Sequence, residues 1–134
     1  MENEVKVILG KHQYNTEVII GKHQLIIDEP EDLGGKDLGP KPTTLLLSSL
    51  GTCKAITMKM YADRKGWEID KIEISLNYLD ETIEGQFTTK INVNINIIGS
   101  LDADQIGRML KISEKCPVQK ILTNPINIQT NLLA

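Results

Sequence analysis

Aromatic residues and cysteines are scarce in this chain of 134 residues. Aromatic side chains make up 4% of the residues, and the chain has two cysteines and two histidines. A core with so few aromatic rings has to be built from Ile, Leu, Val and Met side chains. Two cysteines exclude the dense disulfide framework of small secreted scaffolds. A chain of this length buries enough apolar surface to fold without such bridges.

Long apolar runs and blocks of like charge are also absent. No apolar run approaches the roughly 20 residues that cross a bilayer, so we expect no membrane partner. The formal net charge is −3 and the basic residues are dispersed, which argues against nucleic-acid binding. Residues 1–4 include two glutamates and no basic residue, unlike the basic and apolar start of a signal peptide. We therefore expect a cytoplasmic protein, in which the cysteines are free thiols or a redox pair.

Alternating apolar residues predict β-structure in the first part of the chain. The alternation starts at Val5, and two β-branched runs at 17–20 and 25–27 flank Gly21, which favours a hairpin turn. Residues 29–42 then include three prolines and three glycines, and this composition predicts a loop.

A long helix is predicted over residues 42–65, because proline is tolerated in a first helical turn and Gly66 suits the end of a helix. Apolar side chains wrap most of the way around it, so we expect burial on most sides. Lys54, Lys59 and Arg64 are predicted to form a solvated face. A sheet covers only one side of such a helix, so we expect a second copy of the chain to cover the other side.

Two further runs, 71–78 and 91–97, alternate apolar with polar residues and predict an antiparallel hairpin connected by residues 80–86. Each strand should have one buried face and one solvated face.

The last third of the chain predicts a helix over 102–115, capped by Ser100 or Asp102, and a short helical turn over 117–123. Alternating residues at 126–132 predict a final strand. This order of elements predicts an α+β fold with an antiparallel sheet and helices on one side, in a single domain spanning residues 1–134.

The two cysteines are the candidate chemical residues. Cys53 follows Gly51 and Thr52, which leave space at its sulfur. Cys116 precedes Pro117, and free N–H groups at the start of a helix would stabilise a thiolate there. Such a pair can work as a two-cysteine peroxidase, in which one sulfur becomes a sulfenic acid and the other condenses with it. The alternative is that both are small buried side chains without chemistry.

Other classes of site fit the sequence poorly. The cysteines and the two histidines, His12 and His23, lack the spacing of zinc ligands, and we expect the histidines to be solvated. There is no Gly-x-Ser-x-Gly motif of a hydrolase, and the glycines of residues 34–39 lack the ending of a phosphate-binding loop. We expect no metal and no cofactor.

Two segments around the cysteines resemble the OsmC/Ohr family of OsmC-like and organic hydroperoxide resistance proteins. The first is Gly-Pro-Lys-Pro-Thr-Thr-Leu-Leu-Leu-Ser-Ser-Leu-Gly-Thr-Cys at 39–53, continued by Met-Tyr-Ala-Asp-Arg-Lys-Gly-Trp at 60–67. The second is Ser-Glu-Lys-Cys-Pro-Val at 113–118. The predicted hairpin lies between them, so the resemblance covers nearly the whole chain.

The resemblance implies an OsmC-like fold, with antiparallel sheets packed around a long buried central helix, in an intertwined homodimer with the active site at its interface. It also implies thiol-dependent reduction of organic hydroperoxides in defence against oxidative stress. Cys53 would match the peroxidatic cysteine and Cys116 the resolving one, and an external dithiol would reduce their disulfide.

Three features of the sequence depart from the family pattern. Thr43 and Thr44 stand where peroxidases of the family carry a glutamate, no arginine precedes Arg64, and Gln119 stands where relatives often have histidine. An arginine–carboxylate pair would stabilise the thiolate and orient the peroxide. The alternative function is therefore an OsmC-like protein that binds a small apolar ligand or senses redox state without turning over peroxide.

Overall fold

Three short strands at the start of the chain form one antiparallel sheet in chain order: β1 (Val5–Leu9), β2 (Thr16–Ile20) and β3 (His23–Ile27). The predicted hairpin is confirmed, since Gly21 adopts a φ of 59° in the turn between β2 and β3, a conformation that glycine adopts without steric cost. The computed structural model describes residues 4–133, and these fall into two compact units. The sheet belongs to the first unit, which ends at Leu46.

One buried carboxylate holds the loop that follows β3. Asp28 is 2% exposed and accepts hydrogen bonds from the backbone N–H groups of Glu29 at 2.8 Å, Leu38 at 3.2 Å and Lys36 at 3.3 Å. Burial raises the pKa of Asp28, but the backbone donors outweigh this effect, and the pKa lies below its usual value. The predicted loop is therefore an ordered one, with a 3₁₀ turn at Glu31–Leu33.

We expect Asp28→Asn to lower the urea midpoint of unfolding at pH 7. An asparagine keeps one acceptor oxygen and turns its NH₂ group toward a backbone N–H that the carboxylate now satisfies. Because the folded pKa is depressed, the stabilisation by Asp28 is present above the unfolded pKa, near 3.8, and is lost as pH falls through the folded pKa. The wild type should therefore lose more stability below that pH than the variant does. Equal urea midpoints at pH 7 would contradict this expectation.

A long helix and a long hairpin form most of the second unit. Helix α1 (Pro42–Lys65) is followed by β4 (Ile69–Ile83) and β5 (Gln86–Gly99), which pair as a two-stranded antiparallel sheet. The hairpin extends further than predicted, because polar partners continue the ladder across residues 80–83. Asp80, for example, faces Thr89 and accepts a hydrogen bond from its hydroxyl at 2.8 Å.

The two faces of this hairpin differ as the alternation predicted. Aliphatic pairs such as Ile74 and Ile95 face each other on one side, and amide pairs such as Asn77 and Asn92 on the other. The amide of Asn92 donates to the Asn77 side-chain oxygen at 3.0 Å. The aliphatic face packs against a core whose fully buried members are Met58, Ala62 and Met109.

Two short helices follow the hairpin, close to their predicted positions. Helix α2 (Ala103–Ser113) starts with a capping box, in which Asp102 and Gln105 each accept the other's backbone N–H. Helix α3 (Pro117–Thr123) starts at the predicted proline. The described residues thus form three α-helices and two antiparallel sheets, which confirms the α+β class.

The predicted strand at 126–132 is wrong for the described chain. This segment carries no strand, and its alternating residues Ile126, Ile128 and Leu132 are 57%, 82% and 98% exposed. A strand needs a neighbour to pair its backbone groups, and no strand within residues 4–133 pairs with this segment.

Helix α1 is buried along one stripe only, so the predicted burial on most sides is wrong for the described chain. Leu46, Ile56 and Met60 lie outside that stripe and are exposed. Lys59 is exposed as predicted, whereas the prediction that Lys54 lies on a solvated face is wrong. The buried residues recur every three or four positions, as Leu47, Leu50, Gly51, Lys54, Met58 and Ala62.

Candidate active site

The second unit brings Cys53 and Cys116 together. Cys53 lies on α1, Cys116 directly precedes α3, and the two thiols approach to 3.8 Å. Both are free. A disulfide needs a sulfur–sulfur distance of about 2.05 Å, so closure requires the two sulfurs to move about 1.8 Å closer together.

The two cysteines differ in how far solvent reaches them. Cys53 is half-buried, whereas Cys116 is 0% exposed. The helix approaches β4 closely two residues before Cys53, where a Cβ on Gly51 would lie 2.6 Å from the Leu76 Cδ1 atom. The partial exposure makes Cys53 the thiol that a molecule from solvent reaches first.

Cys116 is the N-cap of α3. Its sulfur accepts the backbone N–H of Gln119 at 3.4 Å, and Pro117 occupies the first helical turn. From the proline after Cys116, we expected its sulfur to lie near free N–H groups at the start of a helix. This hydrogen bond confirms that prediction. A sulfur that accepts such a hydrogen bond is better able to carry negative charge.

The surroundings of Cys116 act on its ionisation in both directions. Burial raises the pKa of the Cys116 thiol, and the hydrogen bond and charge of Cys53 raise it further. The Gln119 N–H and the positive charge of Lys54 lower it by less, so that the pKa lies above its usual value of 9.0. Cys116 is therefore a neutral thiol at pH 7, with a proton to give when its sulfur reacts.

Lys54 lies beneath the segment that carries Cys116. Lys54 is only 3% exposed. Its Nζ atom donates to the Ser113 carbonyl oxygen at 3.1 Å and to the Gln119 side-chain oxygen. The Gln119 amide nitrogen donates in turn to the carboxylate of Glu114. Because of its charge, Lys54 was predicted to lie on a solvated face. Its spacing of four residues from Leu50 and Met58 on α1 is the pattern that indicates burial.

A shallow apolar groove of about 250 Å³ lies between α1 and β4. The side chains of both elements that line it are small or aliphatic, among them Ser48, Thr52, Ala55, Ile72 and Ile74. The groove is smaller than ligand pockets of roughly 300–1,000 Å³, so only a small molecule would fit it.

Within residues 4–133, no group of three or more His, Cys, Asp or Glu side chains is placed to hold a metal ion. His12 and His23 are exposed, as predicted. No helix among the described residues has the length and apolar character needed to span a bilayer.

A family model described as OsmC-like protein matches residues 34–131 of the chain, a range that contains both cysteines. No curated protein matches the chain.

Solved structures share the fold over most of the chain. The crystal structure of an OsmC-like protein from Mycoplasma pneumoniae has a TM-score of 0.75 at 22% identity, covering 91% of this chain and 87% of that one. An organic hydroperoxide resistance protein OsmC from Legionella pneumophila has a TM-score of 0.66 at 18% identity, with coverages of 90% and 88%. An organic hydroperoxide resistance protein from Elizabethkingia anophelis has a TM-score of 0.66 at 17% identity, with coverages of 89% and 86%. At these identities the likeness shows a common fold.

Proposed function

Since the chain belongs to the OsmC-like protein family, we propose that it reduces organic hydroperoxides, with Cys53 as the peroxidatic thiol and Cys116 as the resolving thiol. The observation that carries the proposal is the approach of the two free thiols to 3.8 Å. The names of the Legionella and Elizabethkingia proteins, which refer to organic hydroperoxide resistance, support it. We propose further that residues 1–134 form one domain and that the protein works in the cytoplasm.

In the first step the Cys53 thiolate attacks the terminal oxygen of the hydroperoxide. A sulfur–oxygen bond forms, the O–O bond breaks, and the alkoxide leaves and takes up a proton to become an alcohol. Cys53 is oxidised by two electrons to a sulfenic acid, and the peroxide is reduced by the same two electrons. The partial exposure of Cys53 supports its role as the attacking thiol.

In the second step the Cys116 sulfur attacks the sulfur of the Cys53 sulfenic acid. The sulfur–sulfur bond forms, the sulfur–oxygen bond breaks, and the hydroxyl group leaves as water with the proton of the Cys116 thiol. The raised pKa of Cys116 keeps that proton on the sulfur until it is needed. Its complete burial protects it from direct oxidation by peroxide.

In the third step an external dithiol restores the pair. A thiolate of the reductant attacks the disulfide to give a mixed disulfide, and its second thiol displaces the protein sulfur. Both cysteines return to thiols and the reductant becomes a disulfide. No metal or organic cofactor takes part in this cycle.

We propose that the active form is a homodimer. The exposed apolar residues Ile56 and Met60 on α1 and the exposed, alternating residues after α3 support this, because a second copy would bury them. Light scattering at micromolar concentration should give the mass of two chains. A single-chain mass under those conditions would contradict the dimer.

The second candidate function is binding of a small apolar ligand, or redox sensing without turnover. The groove between α1 and β4 favours it, as do Thr43 and Thr44 at the start of α1. The Thr44 hydroxyl donates to the Lys41 carbonyl at 2.8 Å, so it serves the start of the helix.

The test is steady-state consumption of cumene hydroperoxide with dithiothreitol as the reductant. We expect turnover that depends on both the protein and the dithiol. Binding of an apolar dye without peroxide consumption would favour the ligand-binding candidate. A single round of thiol oxidation without turnover would favour the sensor.

A further inference from the structure

Lys54 places a positive charge in the buried stripe of α1, where the other side chains are apolar or small. The oxygens that Lys54 contacts, those of the Ser113 carbonyl and the Gln119 side chain, are both formally neutral. Burying an ammonium group is costly unless hydrogen bonds and opposing charge compensate. An apolar side chain at this position would pack with the neighbouring Leu50 and Met58 at a lower cost. The buried charge therefore indicates a functional role for Lys54.

The contacts of Lys54 lie on both sides of Cys116 in the chain. Ser113 is the last residue of α2, where the free carbonyl groups form the negative end of the helix dipole and favour a cation. Gln119 lies in the first turn of α3. One ammonium group on α1 therefore ties down the segment between the two helices.

The orientation of Gln119 depends on a third group. Its amide nitrogen donates to the carboxylate of Glu114, which leaves its oxygen turned toward Lys54. Its backbone N–H meanwhile donates to the Cys116 sulfur. Gln119 thus links the lysine, the exposed carboxylate and the buried thiol.

We propose that Lys54 is the positioning residue of the cysteine pair: by holding Ser113 and Gln119 it fixes Cys116 opposite Cys53, and its charge compensates the negative charge that develops on the Cys116 sulfur. The predicted effect of Lys54 on disulfide closure rests on the proposed function. The predicted effect of its charge on the ionisation of Cys116 does not.

The groups that face the Cys116 sulfur come from two elements. From α1 there are the thiol of Cys53 and the charge of Lys54, and from α3 there is the N–H of Gln119. Glu114 acts at one remove, through the Gln119 amide. Of these, Lys54 and the Gln119 N–H lower the pKa of Cys116. Loss of the lysine charge should therefore raise it.

The test is the ultraviolet absorbance of the Cys116 thiolate as a function of pH, in a Cys53→Ser background so that one thiol titrates. Lys54→Met, which keeps most of the side-chain length without the charge, should shift the midpoint upward, because the positive charge that lowers the pKa of Cys116 is removed. Lys54→Arg should keep the midpoint near that of the parent. Lys59→Met, on the exposed side of the same helix, is the matched control and should change nothing.

A midpoint that does not move in a folded Lys54→Met protein would overturn the proposal. If that variant does not fold, Lys54→Gln supplies the same test, because its amide N–H groups can donate to an oxygen but carry no charge, and the midpoint should again rise. An unchanged midpoint in a folded Lys54→Gln protein would overturn the proposal equally.

The kinetic consequence is tested with both cysteines present. Lys54→Met should slow closure of the disulfide after oxidation of Cys53 severalfold, because the fall in the thiolate fraction of Cys116 outweighs the gain in nucleophilicity that accompanies a higher pKa. The absorbance titration uses no peroxide, so its result stands whether or not the protein proves to reduce hydroperoxides. If the proposed function is wrong, Lys54→Met should still shift the titration midpoint of Cys116, while the wild-type protein consumes no hydroperoxide.

Discussion

Cys53→Ser should reduce hydroperoxide consumption to the uncatalysed rate. A serine hydroxyl is not ionised at neutral pH and does not attack the O–O bond as a thiolate does. Because Cys53 is half-buried on the surface of a helix, the substitution should leave the fold intact. Circular dichroism and the urea midpoint check this, and the peroxide assay with dithiothreitol measures the loss.

Cys116→Ser should behave differently, and the contrast assigns the two roles. Cys53 should still react once with the hydroperoxide, but its sulfenic acid should persist because no second thiol is at hand. Intact mass should then show the gain of one oxygen atom on this variant and none on Cys53→Ser. The reverse pattern would mean that Cys116 is the attacking thiol, and turnover that survives in Cys53→Ser would exclude the proposed chemistry.

Gly39→Ala is expected to lower the free energy of unfolding by about 2–4 kcal/mol. A Cβ at Gly39 would lie 1.9 Å from the carbonyl oxygen of Ile26. The obstacle is backbone, which cannot swing aside as a side chain can. The neighbouring Pro40 also accepts the Asp28 backbone N–H at 3.1 Å, so the segment is held in place.

Gly107→Ala is the matched control for that substitution. Gly107 lies inside α2, where a Cβ would meet no atom within 4 Å, and alanine favours a helix over glycine by about 1 kcal/mol. The control should therefore raise the urea midpoint while Gly39→Ala lowers it. A Gly39→Ala protein as stable as the wild type would contradict the close approach at Ile26.

Periodicity located most elements because it reports which face of an element is buried. The 24 residues of α1 begin at the proline and end before the glycine that the sequence marks. The hairpin was predicted too short, because its outer pairs, such as Asp80 and Thr89, are polar and carry no hydrophobic signal. The segment after α3 has the pattern of a strand without a partner in the described chain, and a single sequence does not say where a partner would come from.

The candidate site was predictable in its residue types more than in its geometry. The chemistry of a thiol is a property of cysteine itself, so Cys53 and Cys116 could be named at once. Their approach depends on how α1 packs against the ends of α2 and α3, which no local pattern encodes. Lys54 shows the same limit. Its charge predicted exposure to solvent, whereas oxygens of Ser113 and Gln119, which are distant in sequence, compensate its burial.

Lys54 differs from the arginine of the family pattern, because its charge acts on Cys116, the proposed resolving thiol. Thr44 takes part in the start of α1, and the described residues place a buried lysine next to the cysteine pair. A cation held in this way can lower the energy of a thiolate without a direct carboxylate partner.

The most direct measurement mixes the fully reduced protein with one equivalent of cumene hydroperoxide, counts the free thiols and reads the intact mass. We expect rapid loss of both thiols and a decrease of about 2 Da, as two hydrogen atoms leave on disulfide formation. Thiols that remain reduced at micromolar peroxide would contradict the proposed function, and would mean that the protein has the family fold without this chemistry at Cys53 and Cys116.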